Sequence, residues 1–344
     1  MVVFFPFQKP VNPFLDEIEP YFEGEFIFDH YYNSHLYKNI DVVHLHWPEI
    51  LFDSKLPTEN QIQDFKLHFK KWKTKYKIAY TFHNLKPHTS SCKYYKDLYK
   101  FIALNVNVVV HFGKTSIIEF KKSYSESLAD NVIIEHPLYL NTPNNVTQKS
   151  AKAYFGLNPK AKVVLVFGEV RTRKEQKLIL QTFKKLRIRK KVLLVPTMRK
   201  FRLKNDLGWK IAAIYNKLRF TFFDLKSKYI LSSSVVDSQQ IQYYFNAADV
   251  VFIPRTNALN SGVLYMAARF NKKIVAPSTG NIGEVAESLK QKTFKTHNTN
   301  AISNAIKETL IDENPASIYE MTILKTHPKN VAEKHLELYN SLVE

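Results

Sequence analysis

The stretch that decides the fold is ADVVFIPRTNALNSG, residues 248–262. Its first half predicts a buried strand, and its polar second half leads into an apolar helix expected over 263–270. A second strand at 273–277 and the turn STGNIGE, residues 278–284, repeat this order. Small polar residues and glycine thus stand where a strand ends and a helix begins, and the unpaired N–H groups at such a helix start bind anions. The pattern predicts a phosphate site without assuming any catalytic residue.

The composition is that of a globular protein. The 344 residues suffice for two domains, and 45% of them are hydrophobic while 24% are charged. The single cysteine, Cys92, excludes an intrachain disulfide, fits a reducing compartment and favours a structural over a catalytic role. The apolar start MVVFFPF, residues 1–7, lacks a basic leader and predicts a first core strand. Since no apolar run approaches the ~20 residues of a spanning helix, we expect a cytoplasmic protein, in solution or on the inner membrane face.

The net charge of +19 is unevenly distributed. Residues 1–150 hold 17 basic and 16 acidic residues, whereas the remainder holds 33 basic and 15 acidic residues. Within residues 152–228 the counts are 22 basic and 4 acidic. Such a field attracts phosphates on a nucleotide, a polyprenyl lipid, a bilayer or a nucleic acid. No DNA- or RNA-binding signature is present, so nucleic acid is not an expected partner.

Apolar runs alternate with stretches of helical spacing in both halves of the chain. Strands are expected at 42–47, 78–83, 106–111, 162–168 and 191–196, and helices at 58–76, 94–104, 175–186, 300–310 and 330–342. This alternation predicts an α/β protein with two doubly wound domains and parallel sheets, joined by a polar linker at 141–147. Because neither half carries G-x-G-x-x-G or zinc-site spacing, no dinucleotide cofactor and no metal are expected.

The first polar cluster is DVVHLHWPE, residues 41–49. His44 and His46 share one face of the expected strand, and Trp47 follows at its end. Three interpretations stay open. The histidines are metal ligands that lack an evident third ligand, or they are hydrogen-bonded at the rim of the sheet. Alternatively, they and Trp47 form a carbohydrate site, because indole offers a flat apolar face and imidazole donates to hydroxyls.

Two further clusters follow apolar strands. In TFHNLKPH, residues 81–88, an imidazole at a strand end could accept a proton from a hydroxyl or hydrogen-bond a sugar, and a structural role is the alternative. In FGEVRTRKE, residues 167–175, Arg171 offers a planar fork and Lys174 a point charge to a diphosphate. The alternative for this pair is a solvated basic face.

The order of these motifs resembles that of GT-B glycosyltransferases. The segments that carry the resemblance are DVVHLHWPE, TFHNLKPH, FGEVRTRK, NAADVVFIPR, NSGVLYMAA and GNIGE. They are most similar to the retaining bacterial enzymes of capsule, O-antigen and exopolysaccharide assembly. The resemblance implies a GT-B fold of two Rossmann-like domains facing across a cleft. It assigns an acceptor domain to 1–150, a donor domain to 151–330, and a C-terminal helix at 331–344 that packs back on the first domain.

The resemblance also implies a set of site residues. Those expected at the donor diphosphate are Arg171, Lys174, Asn260, Ser261, Gly262 and Val263. Those expected at the donor sugar or nucleotide are Gly168, Arg255 and Glu284. Those expected at the acceptor are Asn12, His46, Trp47, Asn84 and His88. His83 would contact the reacting sugar and orient groups, because the leaving diphosphate can itself receive the acceptor proton.

The implied reaction moves a sugar, with retention, from a nucleotide diphosphate sugar to a glycan or a polyprenyl-diphosphate-linked acceptor, without a cofactor or metal. One departure concerns paired glutamates of the family, which would fall at Asn257 and Tyr265. The second of them normally holds the nucleotide ribose, so the identity of the nucleotide stays open. A non-catalytic GT-B-like protein that binds a glycan or an anionic membrane is therefore the alternative, with an epimerase or phosphorylase less favoured.

Two segments mix basic with aromatic residues, as interfacial helices do. They are residues 198–211 and residues 65–77, the second of which contains Phe65, Phe69 and Trp72. Docking on an anionic membrane is one interpretation, and a solvated helix with its apolar face in the core is the other.

Overall fold

The computed structural model describes residues 1–9, 13–53, 55–85, 93–200, 213–214, 216–218, 228–295, 297–312 and 317–344. Contacts within the chain divide it into two compact units. Unit 1 comprises Met1–Tyr139, Ala258–Asn260 and Ile323–Glu344, and unit 2 comprises Leu140–Asn257 and Ser261–Thr322. Each unit is built on a parallel sheet with helices, which confirms the predicted α/β class.

Unit 1 contains a six-stranded sheet. Its strands are β1 (Val2–Phe5), β2 (Glu25–Phe28), β3 (Val42–Leu45), β4 (Lys77–Thr81), β5 (Val108–His111) and β6 (Asp130–Ile133). Its first helices are α1 (Pro13–Ile18), α2 (Glu59–Lys73), α3 (Lys93–Asn105) and α4 (Lys114–Ser123). The strand order is β2-β1-β3-β4-β5-β6, and every pairing is parallel. Strands β3 and β5 are buried along their whole length, as expected of a parallel sheet covered on both faces.

Unit 2 repeats this architecture with a second six-stranded sheet. Its strands are β7 (Lys162–Leu165), β8 (Lys191–Val195), β9 (Tyr229–Leu231), β10 (Val250–Phe252), β11 (Ile274–Pro277) and β12 (Lys292–Phe294). Its helices are α5 (Gln148–Tyr154), α6 (Arg173–Lys185), α7 (Ile241–Ala247), α8 (Gly262–Arg269), α9 (Gly280–Ser288) and α10 (Thr299–Ile311). The strand order is β12-β11-β10-β7-β8-β9, again wholly parallel.

The direction of strand addition reverses once in each sheet. In unit 1 the reversal lies between β1 and β3, and in unit 2 between β7 and β10. Ligands of open α/β sheets bind outside the carboxyl ends of the strands at such a reversal. We therefore expect a ligand site in the loops that follow β1, β3, β7 and β10.

The basic and aromatic segment at 65–77 belongs largely to α2. Thr58 caps this helix through a capping box with Gln61, and Phe65, Phe69 and Trp72 point into the core of unit 1. The interfacial interpretation is wrong for this segment, because its aromatic face already packs against the sheet. The segment at 198–211 lies mostly outside the described residues.

Two helices, α11 (Ile318–Thr326) and α12 (Pro328–Val343), end the chain. Val331, Ala332 and Tyr339 of α12 pack in the core of unit 1 with residues of its central strands. The Tyr339 hydroxyl also makes a 2.6 Å hydrogen bond with Nδ1 of His44. In the described part of the chain, no helix combines the length and apolar character required to cross a membrane.

Six histidines among the described residues of unit 1 are buried. They are His44, His46, His83, His111, His136 and His335, each at most 7% exposed. Burial disfavours the charged imidazolium. It lowers the pKa of His111, His136 and His335 to about 4. Burial is also the main reason that the pKa values of His44 and His46 lie well below the usual range. The core of unit 1 therefore favours the neutral imidazole of His44, His46, His111, His136 and His335.

This arrangement predicts that the protein loses stability in mild acid. The unfolded chain binds protons at its histidines near pH 6.5, whereas folded His136 and His335 bind them only near pH 4. The unfolded state thus binds more protons in this window. The free energy of unfolding is at its full value above pH ~6.5 and falls toward pH ~4 by about 1.4 kcal/mol per pH unit for each such histidine. Urea unfolding measured across this range gives the slope.

The matched variants are His136→Asn and His35→Asn, which remove a buried and an exposed histidine respectively. Asparagine keeps a donor for the carbonyl of Pro137, which accepts from His136 Nδ1 at 2.7 Å. We expect His136→Asn to reduce the pH dependence of the unfolding free energy by about one proton, or ~1.4 kcal/mol per pH unit, relative to the His35→Asn control. Equal slopes in all three proteins would contradict the assignment.

Candidate functional site

The reversal in unit 2 brings together the loops after β7 and β10. These strands are neighbours, with Val164 paired to Val250 and Leu165 to Val251. The chain leaves β7 through Gly168 to enter α6, and it leaves β10 through Arg255 to enter α8. Both loops therefore lie at the same edge of the sheet.

Gly168 has a conformation that other residues rarely adopt. Its φ is +81°, in the left-handed region that favours glycine. A Cβ at this position would lie 3.4 Å from Cγ2 of Val263 and 3.9 Å from a guanidinium nitrogen of Arg255. The turn after β7 can thus pass close to the first turn of α8.

Two helices at this edge begin without a side-chain cap. Ser261 precedes α8 and Thr279 precedes α9, and neither side chain bonds a backbone N–H of its helix. The Thr279 hydroxyl instead donates to the carbonyl of Thr256 at 3.0 Å. Uncapped first-turn N–H groups and the helix dipole favour an anion. The predicted phosphate site at Ser261, Gly262 and Val263 therefore has suitable chemistry.

Helix α6, in contrast, begins with a complete capping box. Thr172 accepts from the N–H of Glu175, whose carboxylate accepts from the N–H groups of Arg171 at 2.9 Å and Thr172 at 3.0 Å. Sequence reasoning missed this function of Glu175. The signal was present in the spacing of Thr172 and Glu175, which is that of a capping box.

The basic residues of this edge differ in how firmly they are held. The Arg255 guanidinium donates to the carbonyl of Glu169 at 2.6 Å and lies 3.9 Å from the Glu175 carboxylate. Burial, followed by repulsion from Arg171, lowers the pKa of Arg255. Arg171 is exposed and lies 3.3 Å from the carboxylate of Glu169, and Lys174 is exposed in the first turn of α6. An anion placed here would relieve the repulsion between Arg255 and Arg171.

A small pocket collects several of the predicted residues. Gly168, Arg255, Ser261 and Val263 line it together with Glu175. Arg171 and Lys174 are exposed and do not line this pocket, and Glu284 is half-buried in α9. At the positions of the family's glutamates, Asn257 is exposed and Tyr265 is buried.

The reversal in unit 1 is surrounded by aromatic rings. The structure ends β3 at Leu45 and β4 at Thr81, so His46, Trp47 and His83 lie just beyond the strand ends. The indole of Trp47 stacks on the imidazole of His83 with 3.9 Å between centroids and 16° between planes. Nδ1 of His46 lies 2.9 Å from Nε2 of His83.

The remaining predicted residues of unit 1 divide into three groups. The amide of Asn260 donates to the carbonyl of His83 at 2.8 Å, which ties the residue before Ser261 to unit 1. Asn84 is half-buried beside His83, whereas Asn12 and His88 lie outside the described residues. His44 is fully buried and bonds Tyr339 and Thr81, so it belongs to the core. Across the described ranges, no three His, Cys, Asp or Glu side chains form a group that could hold a metal ion.

The fold recurs in solved structures of low sequence identity. Sucrose-phosphate synthase from Thermosynechococcus elongatus superposes with a TM-score of 0.69 at 15% identity, over 91% of this chain and 76% of that chain. HepE from Anabaena, in complex with UDP and glucose, superposes with a TM-score of 0.70 at 12% identity, over 99% of this chain and 100% of that chain. A glycosyltransferase from Rickettsia africae superposes with a TM-score of 0.65 at 16% identity, over 98% of this chain and 84% of that chain.

No family model and no curated protein sequence matches the chain. The structural similarity nevertheless extends over both units and nearly the whole length. It agrees with the topology of the two parallel sheets and with the order of motifs in the sequence. The protein has the GT-B fold of nucleotide-sugar glycosyltransferases.

Proposed function

We propose that the protein is a glycosyltransferase that takes its sugar from a nucleotide diphosphate donor. The observation that carries the proposal is the edge of unit 2, where Gly168, Arg255 and the uncapped start of α8 meet in one pocket. A diphosphate has the charge and size that such a start binds, and Arg171 and Lys174 supply exposed cations beside it. UDP-glucose, which is bound in a HepE structure, is the first donor to test.

We propose further that the acceptor is a glycan or a polyprenyl-diphosphate-linked saccharide of bacterial surface polysaccharide synthesis, and that the anomeric configuration is retained. Retention needs no nucleophile from the protein when the leaving diphosphate receives the acceptor proton. His83 keeps the role that the resemblance implies for it, contact with the reacting sugar. NMR of the anomeric proton in the product distinguishes retention from inversion.

A binding protein without turnover is the second candidate. It is favoured by Asn257 and Tyr265, which stand where the family has glutamates. The two candidates separate in a panel of UDP-, GDP- and ADP-sugars analysed by mass spectrometry for transfer or hydrolysis. Product from any donor excludes the second candidate, and nucleotide binding without product supports it.

The diphosphate assignment predicts that Arg171→Ala and Lys174→Ala each weaken nucleotide binding about tenfold or more, because a hydrogen bond to a charged group contributes roughly 1.5–3 kcal/mol. Thermal shift titration with UDP, GDP and ADP measures the dissociation constants. The control is Lys177→Ala, which removes an exposed lysine one turn further along α6. Unchanged affinity in both test variants would refute the assignment, and absence of any shift for the parent protein would count against the donor class.

Two glycines provide a matched test of the pocket. Gly156 and Gly168 have φ of +62° and +81°, but a Cβ on Gly156 meets nothing within 4 Å. Alanine at either position should cost about 1 kcal/mol of stability through backbone strain. Only Gly168→Ala should also weaken nucleotide binding, since its methyl group enters the space between Val263 and Arg255. Equal affinities of the two variants would place the nucleotide elsewhere.

We also propose that unit 2 binds the anionic inner face of the cell membrane. Helices α6 and α10 flank a groove whose lining residues include Lys184, Lys185, Arg187 and Lys307 but no carboxylate. Lys185 donates to Thr299 at 2.7 Å, and the other three cations are available to lipid phosphates. This groove replaces the segment at 65–77 as the surface that would bind the membrane.

The membrane proposal predicts salt-sensitive binding to vesicles that contain phosphatidylglycerol and little binding to phosphatidylcholine alone. The triple variant Lys184→Gln/Arg187→Gln/Lys307→Gln should lose affinity by about a hundredfold, at roughly 1 kcal/mol per basic residue. The matched control, Lys66→Gln/Lys70→Gln/Lys73→Gln, removes the same charge from α2 of unit 1. Co-sedimentation with the vesicles measures the affinity of both triple variants. Equal losses of affinity would show that net charge and not this groove determines binding.

A further inference from the structure

The imidazole of His83 is enclosed on several sides by other rings. Besides the stacked indole of Trp47, Phe14 and Phe112 present their edges at centroid distances of 5.6 Å and 5.2 Å. Only 7% of the residue is exposed. A ring packed in this way has little freedom to rotate, so the atoms that it presents in each direction are fixed.

His46 contacts His83 through a single pair of ring nitrogens. Nδ1 of His46 and Nε2 of His83 lie 2.9 Å apart, which is a hydrogen-bond distance and requires one proton between them. The other nitrogen of His46, Nε2, is buried and makes no hydrogen bond. Burial, together with His83 and His335, holds the pKa of His46 well below its usual range, so the ring is neutral and carries one proton.

Only two placements of the protons satisfy this contact. If His83 donates from Nε2, the proton of neutral His46 must sit on its own Nε2, where a buried N–H group would lack an acceptor. If His46 donates from Nδ1, its Nε2 is only a bare lone pair. An unpaired buried donor is rarer than an under-satisfied acceptor, because its lost hydrogen bond to water is not replaced. The second placement is therefore favoured.

A neighbouring histidine shows the same pattern in a case without ambiguity. Nδ1 of His335 lies 2.8 Å from the carbonyl of Val331, which can only accept, so the proton of neutral His335 is on Nδ1. Its Nε2 is then a bare lone pair, and it is also buried without a partner. The core of unit 1 thus already contains one unbonded imidazole lone pair of this kind.

We propose that His46 is a positioning residue that fixes His83 as the tautomer with its proton on Nδ1 and its lone pair on Nε2 directed at His46. Neutral His83 then has no lone pair left for a hydroxyl proton. Its ring can donate a hydrogen bond from Nδ1, but it cannot act as a general base. The catalytic meaning of this inference rests on the proposed glycosyltransferase function, whereas the tautomer itself does not.

The direct test is long-range proton–nitrogen correlation NMR of the protein labelled with ¹⁵N-histidine, recorded above pH 7. Protonated and bare ring nitrogens differ widely in shift, and His83→Asn and His46→Asn assign the two rings. We expect a protonated Nδ1 and a bare Nε2 for His83. A protonated Nε2 on His83 would overturn the proposal. If either variant fails to fold, as judged by circular dichroism, His83→Gln or His46→Gln provides the assignment.

A matched control uses His44, which is also buried but bonds Tyr339 and Thr81. His44→Asn should leave the ring signals of His83 in place. His46→Phe, which retains a ring and removes the hydrogen bond, should shift them. Unchanged His83 signals in His46→Phe would also overturn the proposal.

Turnover gives a second and separate readout. His46→Phe should lower kcat about 10–100-fold with little change in KM for the donor, as loss of an orienting partner does, and His46→Asn should restore part of it through its amide donor. An equal loss in His46→Phe and His46→Asn would contradict positioning through the hydrogen bond. If the parent protein turns over no donor, the proposed function fails, while the NMR result still decides the tautomer.

Discussion

The starts of α8 and α9, which no side chain caps, are the constraint on which the proposed site of unit 2 depends. A parallel sheet brings all its strand ends to one edge, and each following helix begins there with donors that its own backbone cannot satisfy. Ser261 and Thr279 leave those donors uncapped, whereas Thr172 and Glu175 cap the start of α6 fully. The three helix starts therefore differ. That of α6 is capped by its own side chains, whereas those of α8 and α9 have no side-chain cap, which is why we propose the anion site there.

Unit 1 is governed by a different constraint, the exclusion of charge from an aromatic core. Burial disfavours the imidazolium of His44, His46, His111, His136 and His335, and each neutral ring then has one donor and one acceptor to place. Backbone carbonyls decide the tautomer of His136 and His335, since a carbonyl can only accept. His46 contacts another imidazole instead, that of His83, so one ring must donate and the other must accept. We therefore infer that buried His46 determines which ring nitrogen of His83 carries the proton.

Local patterns in the sequence were sufficient to predict most of the fold. The strand and helix around Ser261, the strands β3 and β5 and the parallel sheets all follow from apolar runs bounded by turn residues. Contacts across long sequence separations could not be predicted in the same way. Tyr339 bonds His44 from 295 residues away, and the segment Ala258–Asn260 joins unit 1 although the chain on either side of it belongs to unit 2. The stacking of Trp47 on His83 likewise could not be predicted from local sequence, because a tryptophan at a strand end is equally consistent with a binding surface for a sugar.

The charges beside Gly168 suggest how an anion would bind there. Arg171 and Glu169 form an exposed pair, and such pairs contribute about 0–1 kcal/mol to stability, which leaves the pair compatible with the proposed diphosphate. Arg255 differs because a backbone carbonyl and the Glu175 carboxylate both contact it, and it is half-buried. Glu175 in turn is fixed by the capping box of α6. Arg171 is thus the more exposed of the two cations, and Arg255 is the one that lines the pocket. A substitution at Arg255 would disturb the loop after β7 as well as the charge, so Arg171 is the residue at which binding can be measured separately from folding.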